Sequence, residues 1–344
     1  MIALSSDTET RPTEAMRRAM AQAEVGDEQK GEDPTVNRLL ERVCELLGKE
    51  AALFLPTGTM CNLISVKAHT RPGDVVLIHE MGHILRAESG GSALVSGVQF
   101  ESLPGRRGIF SPDALERAYS DVLTAPRPYA PRPRLVCVEQ THNFCGGTVW
   151  GVDELKAVCE KAHSLELSVH MDGARLLNAV VASGVSAGEY AACADSVWID
   201  FAKGLGAPMG AVLAGSREFI QRARPYKHMF GGAMRQAGIV AAGCLYALEN
   251  HVDRLNEDHE NARRLAEGLY QVPGIRLLTP EPETNMVFFE IPGFSMDVPT
   301  FLDELKKRGV AMVGLAGGVR AVTHLDVSRD DIDRAVEEIR ALAP

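Results

Sequence analysis

No run in this 344-residue chain approaches the ~18 consecutive apolar residues of a membrane-spanning helix. A membrane protein of that kind is excluded. The start, MIALSSDTETRP, has neither the basic nor the apolar region of a secretory signal, so the protein is expected in the cytoplasm. Cysteine pairs of the C-x-x-C kind are missing too. The seven cysteines, Cys44, Cys61, Cys137, Cys145, Cys159, Cys193 and Cys244, lie scattered and odd in number. With no signal segment they read as reduced thiols, which argues against a disulfide framework or a cysteine-based zinc site. Positive charge is in short supply. Lys plus Arg number 36 against 46 Asp plus Glu, a net charge of −10, the wrong sign for gripping nucleic acid or an anionic membrane. Repeats and low-complexity tracts are likewise absent. The 45% hydrophobic and 24% charged content is that of a chain that folds, and its length suits about two domains.

What is present alternates between helical periodicity and short apolar strands. Asp33-Pro34 is a cap followed by proline at the first helical position, launching Val36, Leu39, Leu40, Val43 and Leu47; Gly48 ends that helix. Beyond it come the apolar run Ala51–Leu55, a helix over Met60–Ala68, a strand Val75–Ile78 and a helix from Ser111-Pro112. A strand Leu135–Val138, a helix Val152–His163 and a strand Leu167–Met171 follow. These strands show little in-out alternation, which is the mark of burial on both faces of a mostly parallel sheet, so the class is α/β with flanking helices. Ser196–Phe201 and Ala211–Ala214 are further strands, separated by the loop AKGLGAPMG. After a helical stretch through Leu248 and Asp253–Leu269, the pattern reads strand Asn285–Glu290, helix Val298–Arg308, strands Val310–Val313 and Arg320–Asp326, and helix Asp330–Leu342. The expected division is a large α/β domain over 1–250, whose first ~20 residues can pack elsewhere, and a smaller α+β domain over 251–344. Pro126–Pro133 reads as a surface linker.

His79-Glu80-Met81-Gly82-His83 matches the H-E-x-x-H zinc pattern, which would make a metallohydrolase. It follows VVLI directly, so His79 and Glu80 are expected at a strand end, where residues four apart do not share a face. Lys203 sits just past an apolar strand in a glycine-rich loop, a setting that suits a nucleophilic amine; its bland reading is a solvated loop lysine. Asp172 ends the strand LSVHMD, and if both lie at carboxyl ends of neighbouring strands they share the crevice where α/β sheets bind ligands. A pyridoxal phosphate site needs a lysine for the aldehyde, a carboxylate for the pyridine nitrogen, a phosphate cup and a group flat on the ring. Lys203, Asp172, the turn Pro56-Thr57-Gly58-Thr59 and His83 are the candidates. Arg175 and Arg320 are candidates for the cofactor hydroxyl and a substrate carboxylate, which the guanidinium fork grips with two bonds.

The segments SSDTETRPTEAM, GEDPTVNRLLERVCELLGKEAALFLPTGTMCN, HMDGARLLNA, DFAKGLGAPMGAVLAG, GGAMRQAGIVAA and RAVTHLDVS together resemble the threonine aldolase family, in order and nearly end to end. That resemblance implies an aspartate-aminotransferase-type fold, pyridoxal phosphate as cofactor, and a homotetramer built as a dimer of dimers with sites at a subunit interface. It implies Lys203 bonded to the cofactor, Asp172 at the pyridine nitrogen, Gly58 and Thr59 at the phosphate, and His83 on the ring. Arg175 would stand near the ring oxygen, Ser6 and Arg320 at the substrate carboxylate, and Arg235 would reach a neighbouring subunit's cofactor phosphate. The chain departs from the family at Lys30, where a tyrosine is common, at Gln140 in place of asparagine, and in ILRAE after His83, which lacks a common tyrosine; these departures bear on substrate preference.

The implied reaction is retro-aldol cleavage of L-threonine, L-allo-threonine and related 3-hydroxy amino acids to glycine and an aldehyde. A base takes the β-hydroxyl proton, a task suited to histidine, whose unperturbed pKa of ~6.5 lies near working pH; His83 is the first candidate and His142 the second. The rival readings are β-elimination, racemisation or transamination with the same cofactor, the zinc hydrolase at His79–His83, and a cofactor-free binding module.

Overall fold

The structure, a computed structural model, describes residues 1–126, 128–315 and 317–344. The chain begins with β1 (Ile2–Ala3), which crosses to the C-terminal part of the molecule. β2 (Ala51–Leu55), β3 (Asp74–His79), β4 (Gln99–Leu103), β5 (Arg132–Glu139), β6 (Ser168–Gly173), β7 (Ser196–Asp200) and β8 (Ala211–Gly215) then form one seven-stranded sheet. Its order is β2-β8-β7-β6-β5-β3-β4. The strands from β7 to β4 run parallel, and β8 is antiparallel to both β7 and β2. Parallel neighbours need crossovers of a dozen or more residues, and helices such as Val152–Ser164, between β5 and β6, provide them. The chain leaves β3 toward β4 on one side and β5 toward β6 on the other. That reversal opens a crevice outside the carboxyl ends of β3 and β5.

Local sequence explains the helix ends. The Asp33 side chain accepts from the Val36 N–H with Pro34 in the first turn, and Gly48 closes that helix at φ 61°. Ser111 likewise caps Ala114 ahead of Pro112. The largest core packs Leu39, Val136, Trp150, Val169 and Val197 between the sheet and its helices.

A second sheet, antiparallel, joins β9 (Arg276–Leu277), β10 (Met286–Glu290), β12 (Val313–Leu315) and β13 (Gly318–Val322) in the order β12-β13-β10-β9. β11 (Val310–Ala311) pairs in parallel with β1, Ile2 opposite Val310. Ile2 and Leu4 are therefore buried in a separate core with Leu265, Phe289, Phe301 and Ile332. The first residues of the chain belong to the packing of its last third, and this brings Ser6 and Asp7 back over the crevice.

The sheet is mostly parallel, as the apolar runs predict. Some boundaries differ. The strand expected at Val310–Val313 is two, β11 and β12, parting at Met312, and the one expected at Arg320–Asp326 is β13, which ends at Val322. β4 gives no apolar run because only its Leu103 is buried, as suits the edge of a sheet. The linker expected at Pro126–Pro133 is cut short by β5, which starts at Arg132 and buries Pro133; Arg127 lies outside the described residues. The register of β3 on β5 shifts between Val75 and Val76, beside this proline that has no N–H to donate. Among the described residues, no helix is long and apolar enough to cross a membrane.

Candidate active site

A cavity of about 610 Å³ opens at the carboxyl edge of the large sheet. Asp172 enters it from the end of β6, Glu139 from β5 and Asp200 from β7, with Lys203 just beyond. Parallel strands of similar length end on one edge, so residues remote in sequence converge there.

Asp172 is 2% exposed. Its Oδ2 accepts from Asn62 Nδ2 at 2.8 Å and its Oδ1 from the Ala174 N–H at 3.1 Å. Asn62, on the helix Gly58–His69, is the hub of a buried network. Its Nδ2 also donates to Glu88 Oε1 at 2.7 Å, while its Oδ1 accepts from Trp198 Nε1 at 2.7 Å and lies 3.1 Å from His170 Nε2. Burial pushes the His170 pKa down to about 4, which keeps that ring neutral beside the network.

Lys203 Nζ forms an ion pair with Asp200 Oδ2 at 2.6 Å and stands 5.4 Å from the Trp198 ring centroid. The apolar surroundings expected for this amine are thus on one side only, and Asp200, which the sequence pattern does not single out, occupies the other. The loop is tied down by Thr10 Oγ1, which donates to the Lys203 carbonyl at 2.8 Å.

Across the cavity, Gly58 and Thr59 form the first turn of the helix Gly58–His69, capped by Thr57. Thr57 takes the N–H groups of Met60, through its side chain, and Cys61, through its carbonyl. Those of Gly58 and Thr59 have no intrahelical partner and suit an anion at a positive helix end. Gly58 is required for packing as well: a Cβ there would lie 2.1 Å from the Trp198 ring.

His83 opens a short helix, His83–Arg86, directly after the turn that leaves β3. Its N–H donates to Glu139 Oε2 at 2.8 Å, its Nδ1 lies 3.0 Å from Glu88 Oε1, and its ring runs parallel to Phe144, 6.2 Å between centroids. Burial works to lower its pKa, but the Glu88 bond, Asp172 and Glu139 outweigh it and leave the pKa raised. Glu88 is 5% exposed and itself raised, burial being the largest cause and Asp172 adding to it.

The other end of the cavity is cationic. Arg175, 6% exposed, donates from Nε and Nη2 to both oxygens of Asp7, each at 2.7 Å. Burial alone would raise the Asp7 pKa, but Arg175, with Lys203 and Asn285 adding to its pull, brings it to about 2. Arg320 donates to Asn143 Oδ1 at 3.1 Å and to the Ser5 carbonyl at 2.9 Å. Its Nε is buried without a partner, and burial and the neighbouring Arg175 lower its pKa. An unpaired N–H on a buried guanidinium beside a second guanidinium is a place for a carboxylate. Ser6 lines this end, its Oγ accepting from Thr8.

Gly58, Thr59, His83, Asp172, Arg175, Lys203, Ser6 and Arg320 therefore line one cavity. Two sequence candidates do not. His142 is 1% exposed, its Nε2 lies 3.9 Å from the Glu139 carboxylate, and it lines a small neighbouring pocket that shares His83, Glu139 and Asp172 with the cavity. Arg235, its side chain 63% exposed, pairs with Asp27 at 3.0 Å away from this cavity. The departures at Lys30 and Gln140 lie outside it too. Lys30 is exposed, and Gln140 is buried with its amide on the backbone of Trp150. The zinc reading fails on geometry: His79 ends β3 while His83 starts the next helix, and each falls in a different cluster of possible ligands. Asp7, Asn62, Glu88, Glu139, Asn143 and Asp200 were not singled out from sequence. Each lies in or beside a segment with family-like residues, Asp7 in SSDTETRP, Asn62 ending PTGTMCN, Glu88 ending ILRAE, Glu139 and Asn143 flanking Gln140 and His142, and Asp200 opening DFAKG, but none carries a role in the sequence reading.

A lysine, carboxylates, a free helix end and paired arginines meeting at the switch point of a mostly parallel sheet define an α/β enzyme. The profile of the beta-eliminating lyase family matches residues 3–292. The chain is 40% identical to low-specificity L-threonine aldolase 1 of Arabidopsis thaliana over 333 residues, 96% of this chain and 92% of that protein. It is 39% identical to the low specificity L-threonine aldolase of Escherichia coli K12 over 341 residues, 99% of each. A solved threonine aldolase structure from Leishmania major shares the fold with a TM-score of 0.85 at 22% identity, 99% of each chain being covered. The chain belongs to the beta-eliminating lyase family, on its threonine aldolase branch, and is a carbon–carbon lyase.

Proposed function

We propose that this enzyme cleaves L-threonine, L-allo-threonine and related 3-hydroxy amino acids to glycine and an aldehyde, with pyridoxal phosphate as its cofactor. The observation that carries this is the single cavity in which Lys203, Asp172, the open helix end at Gly58–Thr59 and the unpaired Arg320 Nε are combined. The residues fit the cofactor: an anion site at one end, an acid for a ring nitrogen at the other, and an amine for the aldehyde. Bound there, pyridoxal phosphate supplies an electron sink for the pair released when a bond to Cα breaks.

The chain's own groups then divide the work. Gly58 and Thr59 hold the phosphate through backbone N–H groups. Asp172, fixed by Asn62 and the Ala174 N–H, holds a proton at the ring nitrogen. Lys203 would hold the cofactor's aldehyde carbon through its amine, which Asp200 positions at 2.6 Å. Arg320 and Ser6 grip the substrate carboxylate, and Arg175, locked on Asp7, faces the ring oxygen. Holding the carboxylate at that end would fix which bond to Cα is oriented for cleavage, for which the bound cofactor would supply the electron sink. His83, supported by Glu88, accepts the β-hydroxyl proton. His142, the second candidate, does not line the main cavity, so His83 is the preferred base.

Arg235 lies exposed outside its own cavity, and Met229 and Ile239 near it in sequence are exposed large apolar side chains. These support a homo-oligomer, a dimer of dimers, in which Arg235 completes the neighbour's phosphate site. Seven free cysteines support a reducing, cytoplasmic setting.

The test is a product assay with the cofactor-loaded enzyme. Glycine and acetaldehyde from threonine, with both activity and the cofactor's visible absorbance lost in Lys203→Ala, are expected. The family's description favours one other reading, β-elimination. Pyruvate and ammonia as the main products would establish it and reject the aldolase.

A further inference from the structure

Neither ring nitrogen of His142 has a hydrogen-bond partner, although the residue is 1% exposed. An unpaired buried polar atom costs about 1–3 kcal/mol, so a histidine left this way in the interior calls for a ligand. Its ring meets that of His79 edge to face, 4.8 Å between centroids. Cys145 closes a triangle in which one ligand atom of each residue lies within 4.8 Å of the others. The room is made by Gly108, at φ 86°, where a Cβ would come within 2.3 Å of the His142 ring.

We propose that His79, His142 and Cys145 bind a thiophilic divalent cation of the zinc type, beside the catalytic cavity, with which the pocket around His79 and His142 shares His83, Glu139 and Asp172. Two imidazoles and a thiolate are a zinc donor set, with bonds of about 2.0–2.1 Å to nitrogen and about 2.3 Å to sulfur. The donors must draw together by roughly 1 Å to reach such bonds. The segment that moves is short and pliant, since Cys145 ends the turn Asn143–Cys145 and is followed by Gly146 and Gly147, at φ 91° and 71°. His79 already has an outer partner: its Nε2 lies 3.3 Å from the Gly105 carbonyl, the kind of contact that orients a ligating histidine. Its Nδ1 then faces the metal and gives up the bond it accepts from the Met81 N–H at 3.1 Å. Glu139 keeps both oxygens on the N–H groups of His83 and Asn143, so the fourth position falls to water. Because Asn143 and Phe144 lie between two of the ligands, filling the site also holds the acceptor shared by Arg175 and Arg320 and the ring beside His83.

Sequence spacing hides such a site, since His79 ends β3 while His142 and Cys145 follow β5, and only the pairing of those strands joins them. The experiment is a titration of chelator-stripped, cofactor-loaded enzyme with Co²⁺, read in the red part of the spectrum, clear of pyridoxal phosphate. One equivalent per chain is expected to give the intense band of tetrahedral cobalt–thiolate coordination, bleached by Zn²⁺, and to raise the melting temperature. Cys145→Ser and His79→Gln should lose the band and the rise in melting temperature while keeping the stripped enzyme's melting temperature. No band, or one that survives in both variants, overturns the proposal. So does a band lost instead in Cys193→Ser, because Cys193 and the nearby His163 line a separate surface pocket. None of these readouts depends on the aldolase reaction, so the site and the proposed activity stand or fall separately.

Discussion

Replacing Asp7 by asparagine removes a charge while keeping shape and one acceptor oxygen. Asp7 and Arg175 are 0% and 6% exposed and joined by two bonds of 2.7 Å. The Asp7 pKa falls from 3.8 to about 2, and at about 1.4 kcal/mol per unit the ionised carboxylate contributes roughly 2 kcal/mol to stability. The substitution should cost more than that. It leaves the Arg175 guanidinium buried without its counter-ion, a situation worth about 3–5 kcal/mol. Denaturant unfolding at neutral pH, repeated down to about pH 2.5, checks both parts. Because the folded pKa is depressed, the contribution of Asp7 is fully present above its unfolded value near 3.8 and is lost as pH falls through about 2. Asp7→Asn should lack that acid-labile part. Adding Arg175→Met removes the stranded charge, and the double variant should recover much of the loss. A single variant within 1 kcal/mol of the parent, or a double variant no better than the single one, would refute the account of this pair.

Gly58→Ala forces a methyl group into the Trp198 ring, an overpacking worth about 1–3 kcal/mol, and shifts the helix end proposed for the phosphate. Melting with and without pyridoxal phosphate should show lower stability and weakened cofactor binding; unaltered affinity would remove Gly58 from the cup. Glu88→Gln takes away a group that raises the His83 pKa, so the acidic limb of kcat/KM should move to lower pH. If that limb stays put, His83 is not the base. Arg320→Lys keeps charge but loses the planar fork, and KM for threonine should rise about tenfold, near 1.4 kcal/mol, with a smaller change in kcat. Equal KM values in steady-state kinetics would place the carboxylate elsewhere.

The sequence by itself determined the local features. Capping at Asp33 and Ser111 acts within a helical turn, and apolar runs such as Val75–Ile78 need burial on both faces wherever they end up, so helices, strands and the α/β class are written in short windows. Lys203 and Asp172 were legible for the same reason, each standing at or just past the end of an apolar run. Family-like segments around them add the site's outline.

Pairing between distant segments belongs to the tertiary structure. Asp7 meets Arg175 only because β1 joins β11 at the far side of the molecule. Asn62 links Asp172 and Glu88 only because its helix packs across the ends of β6 and the turn after β3. His142 shows the reverse: a histidine in a promising segment is buried beside Glu139 and does not line the main cavity. Short-range rules carry no information on such encounters. They are decided by which strands become neighbours, and that depends on how the whole set of apolar faces is buried at once.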